Sequence, residues 1–405
     1  MSATAFVIVG ASLAGAKTAE ALRGRGFDGR IALVGTEEHL PYERPPLSKD
    51  YLAGKTDRDS VFVHDQTWYR EQEIDLRLGT TVTAIDRAAR QVQLADGGQL
   101  PYDKLVLTTG SSPRRLPNAT GVHYLRTLDD SDRLKEILAS GSHLAVIGGG
   151  WIGLEVAAAA RQAGLQVTVL ESLELPLLRV LGREMAQVFA DLHTAAGVNL
   201  RLGVRTEEIL SSGGRATGVR LADGSTIMAD AVLAGIGAIP NTGLAADAGL
   251  EVRDGIVTTA GLRTSDPDIF AAGDVASAFH PLLGGHVRVE HWANALKQPA
   301  VAAASLLGQD ASYEELPYFY TDQYDLGMEY VGNVVDGYDQ VVARGDLGAR
   351  QFVAFWLKDG RVRAGMNVNI WDVTDSIKKL IRSGHQVDAD ALADPGTALD
   401  DLVPG

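Results

Sequence analysis

The sequence predicts an α/β protein with two Rossmann-like dinucleotide-binding domains and a smaller C-terminal α+β domain. Three observations carry this. An apolar run ends in a glycine turn at Val7-Ile-Val-Gly10-Ala-Ser12-Leu-Ala14-Gly15, and the same build recurs at Val146-Ile-Gly148-Gly-Gly150-Trp-Ile152-Gly153. Beyond Pro317 the composition turns aromatic and rich in β-formers. A strand feeding a glycine turn and then a helix presents backbone N–H groups at the positive end of the helix, where a pyrophosphate binds. Two copies imply two dinucleotides, most economically FAD and a nicotinamide.

A strand is predicted over 5–9, a helix over 13–25 and a second strand over 30–34, the β-α-β start of a doubly wound sheet. Leu105-Val-Leu-Thr-Thr-Gly110 is another buried strand, after which Pro113 and the paired Arg114 and Arg115 mark the exit from the first domain. A second β-α-β unit starts at Leu144, with a helix over 154–163 and a strand over 166–170. Gly237, Pro240 and Asn241 mark a return crossing, and Ile269-Phe-Ala-Ala-Gly273-Asp274 is a strand ending in a glycine-acid turn. The predicted boundaries are 1–110 with 241–316 for a discontinuous FAD-binding domain, 111–240 for an NADH-binding domain and 317–405 for a C-terminal interface domain. In the last, strands are predicted over 318–324, 340–344, 351–357 and 362–368, with a closing helix over 375–382. The Asp/Ala/Pro/Gly tail from about Asp388 is expected to be poorly ordered.

The 405 residues are 45% apolar and 22% charged, enough for a large core in two or three domains. Gly, Pro or Asn interrupts the longest charge-free apolar stretches, so no segment reads as a membrane span. Met1-Ser-Ala-Thr leads directly into the first strand, leaving no room for a cleavable secretion signal and implying a cytoplasmic address. With 37 basic and 52 acidic residues the formal charge is −15, which argues against nucleic acid as a general partner. An acidic protein partner needs a local basic patch; Arg114 with Arg115, and Lys378 and Lys379 with Arg382, are the visible clusters, and solvated surface charge is the simpler reading of both. There is no cysteine, so no dithiol or thiolate within the chain can carry electrons onward. His64 and His291 read as structural, and no cluster has metal-ligand spacing.

Taken with Thr264-Ser-Asp-Pro-Asp-Ile-Phe-Ala-Ala-Gly-Asp274 and Tyr42-Glu-Arg44-Pro-Pro-Leu-Ser-Lys49, the two fingerprints resemble the FAD-dependent, NAD(P)H-using ferredoxin reductases of bacterial oxygenase systems over almost the whole length. The resemblance implies a glutathione reductase-like two-dinucleotide flavoprotein. It places Gly10, Ser12, Ala14 and Gly15 at the FAD pyrophosphate, although Ser12 departs from the usual second glycine; the turn either tolerates its Cβ or uses its hydroxyl as a donor. An acid is missing at Gly35, where the second strand ends, and Thr36 and Glu37 are implied in the adenosine-ribose region; a solvated loop carboxylate explains Glu37 as well. Asp274 is implied at the ribityl chain, the alternative being a cap on a helix starting at Val275. Val82 and Arg126 match FAD-binding positions of the family, Arg44 is implied near the phosphates or ring edge, and Trp292 is implied at the border of the flavin, the alternative being ordinary core. Lys49 is implied beside the isoalloxazine, where positive charge favours reduced flavin, with Glu155 as its ion-pair partner.

At the nicotinamide site the resemblance implies Gly148, Gly150, Ile152, Gly153, Arg179 and Gly237. Glu171, 18 residues after Gly153, ends the second strand, where a carboxylate holds the ribose hydroxyls and repels a 2′-phosphate; this argues for NADH over NADPH. Arg179 could soften that preference, or is a surface arginine. Tyr320 departs from the tryptophan that close relatives often carry near the flavin, so no electron path is carried over to it. The implied activity is hydride transfer from NADH to FAD, then single-electron transfer to a [2Fe–2S] ferredoxin serving a haem monooxygenase or ring-hydroxylating dioxygenase. Alternatives are a rubredoxin reductase, reduction of a small acceptor (quinone, radical or oxygen), or a redox-sensing interaction protein of the apoptosis-inducing-factor kind. Monomer and homodimer both stay open.

Overall fold

The computed structural model describes residues 4–403. Met1, Ser2 and Ala3, on which the expectation about a secretion signal partly rests, lie outside them. Contacts divide the chain into two compact units: one holds the chain up to Glu43, Arg58–Ser112 and Ile239–Pro317, the other Arg44–Asp57, Pro113–Ala238 and the chain from Tyr318.

In the first unit a five-stranded parallel sheet runs in the order Ile74–Arg77, Arg30–Val34, Ala5–Val9, Lys104–Leu107, Ile269–Ala271. By chain position this is 3-2-1-4-5, the doubly wound order in which ligands meet the carboxyl ends of the central strands. The central strand is buried on both faces, as a parallel sheet with covered faces requires. Phe6 and Ile8 pack with Leu22 and Leu306 of the helices Leu13–Gly24 and Trp292–Leu306, while Val7 and Val9 pack with Val92 and Ile256. The helix Leu13–Gly24 can start hard against the first strand because Gly15 has no side chain: a Cβ there would lie 2.1 Å from Gly10 O.

The second unit repeats the design. Its parallel sheet is ordered Asn199–Arg201, Gln166–Leu170, His143–Ile147, Ala231–Ala234, or 3-2-1-4 by chain position. The helix Trp151–Gln162 begins three residues before the predicted start, because Gly150 is its N-cap. Gly153 makes the approach that Gly15 makes, with a Cβ again 2.1 Å from the earlier glycine's oxygen, here Gly148 O.

The same unit carries a five-stranded antiparallel sheet in the order Tyr318–Gln323, Leu326–Gly332, Arg361–Val368, Gln351–Lys358, Gln340–Asp346. The strand Leu326–Gly332 is absent from the sequence-based expectation; its two glycines and central Glu329 weaken the β signal. One core joins this sheet to the parallel one: Met328, Tyr330, Phe352, Trp356 and Met366 cluster with Leu181, Met185 and Phe189 of the helix Leu178–Ala195. Trp356 is fully buried and its indole N–H donates to Leu181 O at 3.1 Å.

The tail corrects the expectation of disorder. A helix at Ala389–Ala393 and a 3-10 turn at Leu399–Leu402 bury Leu392 and Leu399, and Arg344 donates to Pro395 O at 3.0 Å and Thr397 O at 2.8 Å. Two buried leucines, with Arg344 satisfying two carbonyls, suffice to dock a segment otherwise rich in Asp, Ala, Pro and Gly. Among the described residues no helix is long and apolar enough to cross a membrane.

Candidate functional site

In the first unit the helix Leu13–Gly24 starts at Ser12, whose backbone is extended and whose side chain makes no capping bond. Its carbonyl accepts from Ala16 N at 2.9 Å, so the N–H groups of the opening turn lie ahead of the intrahelical ladder and are available to an anion. The second unit shows what the middle fingerprint position tolerates: the nearest atom to a Cβ on Gly150 is Gly235 O, at 3.8 Å. The fold itself thus leaves room for a side chain there, and Ser12 needs no special accommodation by the protein.

The missing acid at Gly35 has a steric cause. A Cβ on residue 35 would lie 2.4 Å from the Ala11 Cβ. Downstream, Glu37 accepts the Tyr42 hydroxyl at 2.6 Å and Thr36 receives the Thr81 hydroxyl at 3.3 Å. Val82 is buried in the strand Val82–Asp86.

Asp274 follows the strand Ile269–Ala271 and leads into another strand, Ala276–His280. No helix starts at Val275, so the capping alternative falls away. Ser111 Oγ donates to Asp274 Oδ2 at 3.1 Å, and Gln298 Oε1 holds the adjoining Gly273 N–H at 2.7 Å. Trp292 opens the helix Trp292–Leu306, is half-buried, and donates its indole N–H to Glu43 Oε2 at 3.2 Å.

Arg44, Lys49 and Arg126 fall in the second unit. Arg44 Nε donates to the Arg126 carbonyl at 3.2 Å, and Arg126 N–H donates to Asp130 of the capping box that starts the helix Leu128–Ser140. The proline-led 3-10 turn Pro45–Ser48 delivers Lys49, whose ammonium sits 2.8 Å from Glu155 Oε1, with side chains only 13% and 3% exposed. Glu155 is held further by Thr321, whose hydroxyl donates to the same oxygen at 2.6 Å, and by Ser48, which donates to Oε2. The Lys49 ammonium also lies 5.3 Å from the centre of the Tyr320 ring. Sequence reasoning missed Ser48 and Thr321. The available signal was a hydroxyl residue, Thr321, in the buried phase of a strand whose next inward residue is again polar.

At the second fingerprint Glu171 ends the strand Gln166–Leu170. Its Oε2 accepts the Gly149 N–H at 2.7 Å and its Oε1 the Leu173 N–H at 2.8 Å. The carboxylate is thereby fixed against the glycine turn with lone pairs to spare. Ile152 keeps 42% exposure on the first turn of its helix, Arg179 is exposed near the start of Leu178–Ala195, and Gly237 is exposed with φ +101, its carbonyl accepting from Arg114 N–H.

His64 stacks on Trp68 and bonds Glu20 at 2.8 Å, a packing role. The cations proposed as basic patches have local partners: Lys378 pairs with Asp375, Lys379 with Asp400, and Arg115 lies 4.8 Å from the Tyr124 ring centre.

Comparisons with known proteins place the chain in a family. Residues 4–299 match the pyridine nucleotide-disulphide oxidoreductase model and 318–403 the reductase C-terminal model. The chain is 46% identical to the anthranilate 1,2-dioxygenase system ferredoxin–NAD(+) reductase component of Burkholderia cepacia, covering 98% of this chain and 99% of that one. It is 41% identical to putidaredoxin reductase of Pseudomonas putida, covering 98% and 96%. Its fold matches a chain in the crystal structure of the covalent putidaredoxin reductase–putidaredoxin complex with a TM-score of 0.95 and 40% identity, covering 100% of this chain and 99% of that chain.

Proposed function

Because the chain belongs to the pyridine nucleotide-disulphide oxidoreductase family and carries a reductase C-terminal domain, we propose that it is an FAD-dependent NADH:ferredoxin oxidoreductase. It takes a hydride from NADH and hands electrons singly to a [2Fe–2S] ferredoxin that serves a haem monooxygenase or a ring-hydroxylating dioxygenase. One observation carries the reading: a chain of the disulphide oxidoreductase family that has no cysteine. Without a dithiol to receive them, electrons that enter must leave to a carrier outside the chain. Relatives named as ferredoxin reductases, matched over nearly the full length, support that carrier's class.

The chemistry FAD supplies when bound is hydride acceptance from NADH and release of the two electrons one at a time. The chain's share is binding, orientation and charge. Gly10, Ser12, Ala14 and Gly15 would hold the FAD pyrophosphate on the uncapped N–H groups of the first helix, a cradle that the Gly10–Gly15 approach leaves open. Thr36 and Glu37 would bind the adenosine ribose, Asp274 the ribityl hydroxyls, and Val82, Arg44, Arg126 and Trp292 the remaining parts of the cofactor. Gly148, Gly150, Ile152, Gly153, Arg179 and Gly237 would receive NADH, with Glu171 accepting from its ribose hydroxyls and opposing a 2′-phosphate. Lys49 supplies positive charge that favours reduced flavin, and Glu155 fixes that ammonium. A cytoplasmic location belongs to the same reading.

The purified protein is expected to be yellow, to bleach on anaerobic addition of NADH, and to be reoxidised faster by a [2Fe–2S] ferredoxin than by quinone or oxygen in stopped flow. A colourless protein that retains no FAD would sink the assignment, and faster reoxidation by quinone would replace the acceptor.

A further inference from the structure

The contacts on Glu155 do not stop at Thr321. Gln323 Nε2 lies 3.1 Å from Thr321 Oγ1, Gln323 Oε1 lies 2.8 Å from His193 Nε2, and the Tyr324 hydroxyl lies 3.4 Å from His193 Nδ1. Thr321, Gln323 and His193 are essentially inaccessible to solvent. The hydride-transfer reading gives them no role, and burying three polar side chains is costly unless each is satisfied.

The direction of every bond follows from the carboxylate end. Carboxylate oxygens accept, so Thr321 gives its single hydroxyl proton to Glu155 and must accept from Gln323. That orients the Gln323 amide with its NH2 toward Thr321 and its oxygen toward His193. The amide oxygen also accepts, so His193 carries its proton on Nε2 and leaves Nδ1 to accept from Tyr324. Burial lowers the His193 pKa and pushes the Tyr324 hydroxyl up to about 12, so both groups stay in the neutral forms this order requires. Each donor in the series Tyr324, His193, Gln323, Thr321 therefore points the same way and ends on Glu155, and bonds aligned in this manner polarise one another.

We propose that Thr321, Gln323 and His193 are positioning residues, a one-way hydrogen-bond chain that fixes the Glu155 carboxylate and through it the Lys49 ammonium. The chain ties the edge strand of the antiparallel sheet, Tyr318–Gln323, to the helix Trp151–Gln162 that follows the second glycine turn. The proposal rests on the assignment of the Lys49–Glu155 pair to the reaction with NADH.

The test uses the FAD-loaded protein. Thr321→Val keeps the shape and removes the donor; it is expected to slow flavin reduction by NADH about tenfold, the scale of a lost hydrogen bond to a charged group, with the Kd for NADH within about twofold of wild type. Thr321→Ser, which restores the donor, is expected to stay within about twofold of wild type on both measures. Should Thr321→Val not fold, Gln323→Leu, one link further out, is expected to give a smaller loss in the same direction. Nitrogen-15 NMR of histidine-labelled protein is expected to show His193 as the neutral Nε2–H tautomer. Wild-type reduction rates in the Val or Leu variant would overturn the positioning role, and an Nδ1–H tautomer or an imidazolium at pH 7 would overturn the bond order. A wild-type protein that NADH does not reduce defeats the functional reading instead, while the tautomer measurement still decides whether the chain exists.

Discussion

The Gly149 N–H donates to Glu171 Oε2 at 2.7 Å, and a Cβ on residue 149 would come within 3.2 Å of that same oxygen. The first unit has the reverse arrangement: Ala11 carries the side chain on the glycine turn, and Gly35 is bare at the strand end. Each turn has room for one side chain at this contact, on the loop or on the strand. The acid expected after the first fingerprint is absent because Ala11 occupies its space.

This exclusion predicts a rescue. Gly35→Ala places its Cβ 2.4 Å from the Ala11 Cβ, an overlap that is expected to cost about 1–3 kcal/mol. Ala11→Gly in the same chain is expected to recover about half of it, since the Ala11 backbone N and Cα would still lie 3.1 and 3.2 Å away. Urea unfolding of the four proteins of the cycle measures this, and strictly additive losses would refute the shared space.

Glu171→Ser is expected to raise kcat/KM with NADPH relative to NADH by about tenfold or more, because it removes the carboxylate proposed to oppose a 2′-phosphate. Steady-state assays with the two nucleotides check it. An unchanged ratio would move the ribose contact to another residue.

Lys49→Met is expected to shift the flavin midpoint potential negative by about 30 mV, roughly 1.4 kcal/mol for a two-electron couple. It also strands Glu155, 3% exposed, without its cation, at a cost of about 3–5 kcal/mol in stability. Lys49→Met with Glu155→Leu is expected to recover part of the melting temperature, because Ser48 and Thr321 still lose their acceptor, but none of the potential. Potentiometric titration and thermal unfolding therefore separate the pair's structural role from its electrical one.

Much of this was legible in the sequence where one residue's local chemistry decides the outcome. The strands Ala5–Val9, Arg30–Val34 and Gln166–Leu170 coincide with their predicted spans, because each is a short aliphatic run bounded by glycine or a polar turn. The pairing of Lys49 with Glu155 came from the family resemblance alone; nothing local links positions so far apart in the chain. The Thr321–Gln323–His193 chain was illegible for the same reason: His193 looks like an ordinary residue near a helix end until Gln323 is brought beside it. The tail misled because its composition is that of a linker, whereas two leucines and Arg344 from a distant strand decide its structure.

The docked tail is itself testable. Leu392 is fully buried, so Leu392→Ala is expected to cost about 2–5 kcal/mol, read from urea unfolding. A loss below about 0.5 kcal/mol, the level of an exposed site, would mean that the segment is not packed in solution.

Stability is expected to fall as pH drops from about 7 to 4.5, through buried histidines. Burial holds the His291 imidazole down to about 4, against a partial upward pull from Asp274, while in the unfolded chain it titrates near the ordinary histidine value of 6.5. Between those values the unfolded chain binds the proton and the folded chain does not, so the stabilisation is complete above 6.5 and is lost as pH falls toward 4. The full difference is worth about 3 kcal/mol. His193 and His123, also lowered by burial, act in the same direction. The carboxylates Asp230 and Asp268 are held below the ordinary aspartate value of 3.8 by hydrogen bonds; their contribution is present above that value and is lost only at lower pH, which separates the two windows. Unfolding curves at pH 7.5, 6.5, 5.5 and 4.5 should slope downward for wild type and flatten for His291→Gln. An equal slope in the variant would assign the loss to His193 and His123 instead.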